Sequence, residues 1–576
     1  MPPQERQLAT SVLVVGTGGS GLRAAIELAE AGVAVIAVGK RPTDDAHTAM
    51  ATCGINAALA TATVADSWEQ HAADTLRESC LLADPRTVQL VARNAAQGIH
   101  DLERYGMRFN RDGDGRITSR YCGAHTYPRT LFAGGHTGRD LQQVLSKHAA
   151  RLSVPVLPFL YITRLLVNDG TIFGAYGFDR RDGSRLLIHA DAVILAAGGY
   201  TRIWRRTSSR RHENSGDALR LATDAGARLR DAELVQFHPC GLLSPEPVGG
   251  TLVSDTARGA GGVLLNNLGE RFMTRYDPDR MELSTRDRVT VGCYTEIRQG
   301  RGTHGGGVWL DLSHLPRDSV MTRLPQLYQT LLDLQTLDIT RDPIEVAPTA
   351  NYSMGGVWVR PEDHSTDVEG LFVIGEAASG LHGANHLGGN SLTELLAYGR
   401  IAARAAADYS ARLTTQRRSL AAIREAESDV DHMVAADGSQ SAPALQQSLR
   451  NLMTEYAGVV RDEQGLLAGL EKLSAIEAST TEIGVHTDIS GYQDLADAFD
   501  LRSAVLAARA TMECALERRE TRGCHNRSDY PDLDPKLQVN MVWSPATGAR
   551  QEAIPPIPTD IAELMNDVSA VDQHFE

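Results

Sequence analysis

The chain has 576 residues, more than one apolar core organises, so two or three domains are expected. With 42% hydrophobic residues, 53 glycines and a formal charge of −15, it reads as globular, which excludes a nucleic-acid groove with a basic face and leaves an anionic substrate dependent on a local basic pocket. No apolar run approaches the roughly 20 residues that cross a bilayer, and MPPQERQLATSVLVVG has no basic-then-apolar leader, so membrane association is expected only through a partner.

In chain order, SVLVVGTGGSGLRAAIELAEAGVAVIAVGK (11–40) is an apolar strand, a glycine turn, a helix and a second strand. Its glycines fit GxGxxG in a βαβ unit. Gly16 serves the tight turn, Gly18 lets the backbone approach a pyrophosphate, and Gly21 lets helix pack on strand. The second strand ends in Val38-Gly39-Lys40 instead of an acidic residue, so ribose recognition must come from elsewhere. NRDGDGRI (110–117) opens like a calcium loop but lacks the later glutamate, and a Gly-rich hairpin is expected. ADAVILAAGG (190–199) and GLFVIGEAASG are further strand-like runs able to rebuild one nucleotide-binding sheet from distant pieces. From about 411 to 520 the spacing predicts a helical bundle, and the proline-punctuated tail is expected to lie across a surface. The seven cysteines (53, 80, 122, 240, 293, 514 and 524) form no ligand-spaced cluster, so a reducing compartment, no disulfide and no protein-bound metal are expected.

AHTAMATCGINAAL, SGDALRLATDAGARLRDAELVQFHPCGLL, GGVLLNNLGERFMTRY, TRDRV, NYSMGG and GLFVIGEAASGLHGANHLGGNSL together resemble the flavoprotein subunit of succinate dehydrogenase and fumarate reductase, a family that includes L-aspartate oxidase. The resemblance runs from the first strand to TRGCHNRSDYP (521–531). It implies an α/β fold: a Rossmann-like FAD-binding domain in two parts (1–233 and 347–410), an inserted α+β capping domain (234–346), a helical C-terminal domain (411–535) and a tail (536–576).

The implied cofactor is FAD, cradled by Gly16, Gly18, Gly21, Lys40, Thr48, Gly54, Gly198, Gly199 and Asp217. Glu376 falls at the ribose, and Asn390, Ser391 and Leu392 fall at the flavin ring, with backbone amides near its N1 and O2 edge. Succinate dehydrogenases and fumarate reductases carry a flavin-linked histidine before T-x-A-x-x-G. His47 matches it, and aspartate oxidases lack it. Such a bond raises the flavin's reduction potential. Cys53 departs from the family's usual glutamine or glutamate beside the ring.

In the resembling enzymes an arginine donates the proton and is reloaded through an acid and a second arginine, which here gives Arg286, Asp255 and Arg258, the acid one methylene shorter than usual. One substrate carboxylate would meet His238 and Ser254, as in the family. At the other end the family's histidine and arginine are replaced by Asn351 and His386. Either a protonated His386 compensates, or the substrate has one altered end. The resemblance also implies a membrane anchor, an iron–sulfur subunit, and a cytoplasmic chain peripheral on the inner face of the membrane. Two other readings stand beside it: a soluble flavin oxidase or dehydrogenase of an aspartate-like amino acid, which His136 in FAGGHTGRDL keeps open, and a non-catalytic flavin-bearing subunit.

Overall fold

A computed structural model describes residues 5–59, 65–122, 124–487 and 491–566. Residues 1–4 of the expected first segment and 567–576 of the expected tail lie outside the described residues. The chain enters as β1 (Glu5–Val15), α1 (Gly19–Glu30) and β2 (Val35–Gly39), followed by α2 (Trp68–Glu78). β1 and β2 pair in parallel from Val12↔Val35 to Val15↔Val38, with Val12 to Val15 at most 5% exposed. A Cβ on Gly16 (φ +119°) would stand 2.0 Å from the Ala196 carbonyl oxygen, and one on Gly21 would stand 1.9 Å from that of Gly16. One on Gly18 would meet nothing nearer than Thr48 Oγ1 at 3.5 Å. The three glycines therefore do separate work: turn, open approach and close packing.

The main sheet takes β3 (Arg185–Leu195) beside β1, with Val15 opposite Leu195, so the run at 190–199 is a strand of the nucleotide-binding sheet. Residues 235–353 supply a second, antiparallel sheet in which β4 (Val235–Leu242), β5 (Ile344–Ser353), Val308–Asp311 and Val263–Leu265 lie side by side, with α3 (Arg286–Arg298) packed on β4. This region has an apolar core of its own, from Cys240 and Leu242 to Ile344 and Val346. β6 (Leu371–Val373) then returns to the first sheet, pairing in parallel with β3, before α4 (Asn390–Arg412). Distant pieces thus rebuild one sheet.

The helices of the 411–535 region end in α5 (Gln493–Glu517), whose buried side shares a core with the main sheet. Just beyond it, fully buried Arg518 meets Glu233 at 2.7 Å, Glu520 at 3.1 Å and Asp231 at 3.4 Å, fixing this region to the turn before β4. The tail is more structured than its prolines suggest. Val539–Ser544 pairs with both Gly548–Ala553 and Leu229–Arg230, and helix Thr559–Asn566 packs on α2. Among the described residues no helix is long and apolar enough to cross a membrane. Residues 111 and 117 bridge antiparallel, as a hairpin requires.

Candidate active site

A cavity of about 1500 Å³ runs from the glycine turn after β1 to the antiparallel sheet. Its nucleotide end is lined by Gly16, Gly18, Lys40, His47, Thr48, Gly54, Gly198, Asp217 and Glu376, and by Ser391 and Leu392 at the start of α4. That volume exceeds the ~300–1,000 Å³ usual for a single small ligand and suits a dinucleotide with a substrate. The open face of Gly18 leaves a cradle that a side chain would fill. The first-turn amides of a 23-residue helix at Ser391 and Leu392 lack intrahelical acceptors and sit at its positive end. These features fit FAD.

Asn390, expected at the flavin through its backbone amide, turns its side chain away from the cavity. Its side chain is fully buried outside the cavity, donating to Thr75 Oγ1 (2.9 Å) and accepting from Asn56 Nδ2 (2.7 Å), with His71 Nε2 at 2.8 Å. It anchors α4 on α2, and only its neighbours line the cavity. Gly21 and Gly199 also stand behind the wall. A Cβ on Gly199 would fall 2.6 Å from Glu376 Oε1, so this glycine makes room for the carboxylate. Glu376 accepts from the Ser353 amide (3.0 Å) and Asn214 Nδ2 (3.3 Å), and burial pushes its carboxyl up. Lys40 is held by Asp217 (2.5 Å) and Asp500 (3.0 Å). Their charges overcome burial and raise its ammonium pKa.

His47 lies on a short 3₁₀ turn whose next residue, Thr48, accepts from the Gly19 amide at 3.1 Å, clamping this turn to the N-terminus of α1. Its Nδ1 is 3.2 Å from Glu213 Oε1. Burial lowers the imidazole pKa, but the Glu213 bond and charge outweigh it and the net shift is upward. Glu213, which sequence reasoning missed, is held by Arg41 (2.9 Å) and the Arg210 amide (2.6 Å). Despite burial, its bonds to His47 and Arg210 hold its carboxyl far below the usual range.

At the other end Asp255 gathers three partners. Arg286 Nε donates to Oδ2 at 2.7 Å, Arg258 Nη2 to Oδ1 at 2.5 Å, and His238 Nε2 lies 3.1 Å from Oδ1. Arg286 also donates to Gln236 Oε1 (3.1 Å). Burial disfavours the Asp255 carboxylate, yet Arg286 and Arg258 win and hold its pKa well below normal. The three expected relay residues are thus in direct contact. His238 is buried, and that burial outweighs Asp255 and lowers its pKa. Ser254 lines the same wall.

His386 bears on the two readings left open at this end, a compensating protonated imidazole or a substrate with one altered end. It is 7% exposed and stacks on Tyr352 with ring centroids 4.9 Å apart. Neither ring nitrogen has a hydrogen-bond partner. Burial, then His382 and Arg286, hold its pKa well below 6.5, which favours the neutral imidazole. Asn351 accepts from Ser208 Oγ at 3.3 Å and carries no charge. The cavity also contains Glu78, at the end of α2, which no sequence signal singled out. It accepts from Asn385 Nδ2 (2.7 Å), Asn385 accepts from Gln236 (2.9 Å), and Gln236 accepts from Arg286. Burial, then Asp287, raise the Glu78 carboxyl to about 7.

The expected absence of disulfides is overturned, because Cys53 is joined to Cys122 across 69 residues. Separate loops bring them together, a proximity that spacing does not encode. One group with metal-binding residue types, His212, Asp497 and Asp500, gathers ligand atoms within 4.8 Å. Asp500 is engaged by Lys40 and Tyr161, and Asp497 by Gln493, so it reads as a hydrogen-bond network.

A glycine-turn sheet, a long helix aimed at the cavity and a buried arginine–aspartate–arginine cluster define an FAD-dependent oxidoreductase. An FAD binding domain model matches residues 11–392, and a fumarate reductase flavoprotein C-terminal model matches 446–560. The chain belongs to the family of succinate dehydrogenase and fumarate reductase flavoprotein subunits. It is 38% identical to a fumarate reductase (CoM/CoB) subunit of Methanothermobacter marburgensis, covering 92% of this chain and 96% of the relative. It is 34% identical to the succinate dehydrogenase flavoprotein subunit of Rickettsia bellii, covering 97% of each. Mycobacterium smegmatis Sdh1, solved in complex with UQ1, superposes with a TM-score of 0.90 at 34% identity, covering 98% of each chain.

Proposed function

We propose that this enzyme moves hydride between FAD and a carbon–carbon bond flanking a carboxylate, in a substrate whose second end is a neutral or cationic hydrogen-bond donor and not a second carboxylate. Glu78 carries this reading. A carboxyl raised to about 7, facing the cavity beside His386 and Asn351, supplies no positive charge for a second carboxylate, and its ionised fraction repels one and accepts from an amide or amino group. Bound FAD supplies the hydride acceptor or donor. Arg286 orients the first carboxylate and holds the proton exchanged with the neighbouring carbon. Arginine is a poor acid, with a pKa above about 12, so it needs immediate reloading, for which Asp255 at 2.7 Å and Arg258 at 2.5 Å are in line. His238 and Ser254 complete the carboxylate pocket.

With Nδ1 facing Glu213, His47 keeps Nε2 for a covalent link to the flavin. Lys40, Thr48, Gly54, Gly198 and Asp217 line the dinucleotide's path, and Gly21 and Gly199 shape it from behind. By analogy with relatives named as flavoprotein subunits, the chain passes electrons to a membrane anchor by way of an iron–sulfur subunit, and it sits at the inner face of the membrane. Glu78 also favours the second reading, an aspartate-like amino acid whose ammonium group it would accept. Two measurements on the purified holoenzyme test the proposal. Denaturation should leave flavin fluorescence on the polypeptide, and release of all flavin removes the His47 link. Reoxidation of the reduced enzyme should be fast with the half-amide of fumarate, whereas turnover restricted to the dicarboxylate rejects the altered end.

A further inference from the structure

We propose that Cys53 and Cys122 form a two-electron dithiol–disulfide site that exchanges electrons with the flavin. The inference rests on the FAD reading above and adds a redox centre to it.

Both cysteines line the cavity that His47, Glu376 and Ser391 also line. Cys53 follows His47 by six residues, and Cys122 lies against the approach to α4. A Cβ on Gly388, three residues before Ser391, would stand 2.9 Å from Cys122 Sγ. The pair is therefore bracketed by the two segments expected at the flavin ring. Their Cα atoms are 6.9 Å apart.

Arg120, on the same wall, donates to the carbonyls of Thr52 (3.1 Å) and Cys53, bringing a guanidinium to the Cys53 turn. The other five cysteines contrast with this pair. None lines the cavity, and burial pushes the thiols of Cys80 and Cys240 up to about 12.

In the forward step the S–S bond takes two electrons and two protons from dihydroflavin and breaks, leaving oxidised flavin and two thiols. The reverse step closes the bond and returns both electrons and both protons. The pair thus holds one hydride equivalent when the flavin is oxidised again, giving this chain an electron store that needs no iron–sulfur cluster.

The test is an anaerobic dithionite titration of the flavin-loaded enzyme, followed by flavin absorbance and by mass spectrometry after thiol alkylation. The expected result is four electrons per flavin for the wild type and two for Cys53→Ser and Cys122→Ser, with Cys53 and Cys122 alkylated only after reduction. Should a variant fail to fold, the wild-type electron count and alkylation pattern decide alone. Two electrons per flavin in the wild type overturns the proposal. So does a pair that is already alkylated without reductant, or one that stays linked after the flavin is fully reduced. A chain that never takes up flavin sinks the FAD reading itself, and is told apart from those results by its missing absorbance.

Discussion

At one end of the cavity Asp255 is gripped by two guanidinium groups and an imidazole. At the other, His386 has no hydrogen-bond partner, Asn351 is neutral and Glu78 is a weak acid. Asp255, Glu78 and Asn351 are all only partly buried, so exposure does not separate the two ends; pairing does. Where opposite charges meet, Asp255 stays ionised against its desolvation. Where pairing is weaker, desolvation prevails, favouring neutral His386 and raising Glu78 to about 7. In the proposed function these two walls take different parts: one binds the substrate's carboxylate and exchanges the proton, the other discriminates what the rest of the substrate carries.

The most severe way to break the contrast is Arg286→Ala, which removes Asp255's partner and, in the proposed function, the proton carrier. Steady-state kinetics should show kcat falling on the order of 10³-fold or more, within or beyond the usual range for a general acid. A fall below tenfold would make the cluster structural only.

Glu78→Gln probes the opposite wall through stability. The folded carboxyl lies above its unfolded value of 4.5, so its full contribution is present below about pH 4.5 and is lost as pH rises through about 7. The ionised side chain then costs on the order of 3 kcal/mol. Denaturant unfolding between pH 4.5 and 8 should show the glutamine variant losing less stability than the wild type as pH rises. Parallel curves would mean that Glu78 titrates normally. A smaller change, His386→Arg, sharpens the comparison by adding charge to the neutral wall. The Kd for a dicarboxylate should tighten about tenfold, the equivalent of roughly 1.4 kcal/mol, as read by flavin difference spectra.

How much of this was legible depends on how local the physics is. Gly16, Gly18 and Gly21 act within one turn, so their spacing announced the βαβ unit and its open face. Arg286, Asp255 and Arg258 were found through motif resemblance, and their distances follow from the way α3 packs on β4. The neutrality of His386 escaped because it depends on Tyr352, His382 and a dry wall assembled from distant segments. Glu78 and the Cys53–Cys122 pair escaped for the same reason, since α2 and two separate loops meet only in the folded chain. The motif placed the backbone amides of Asn390, Ser391 and Leu392 at the flavin edge and said nothing of the Asn390 side chain, which the first turn of α4 points into the core while Ser391 and Leu392 line the cavity.

The asymmetry between the two walls is tested most directly by titrating the oxidised flavoenzyme with malonate and with its half-amide, reading flavin difference spectra at pH 7.5. A half-amide that binds as tightly as malonate, or more tightly, is the predicted result. Malonate binding tenfold or more tightly would place a second positive charge at the wall of His386, Asn351 and Glu78, and would contradict the account.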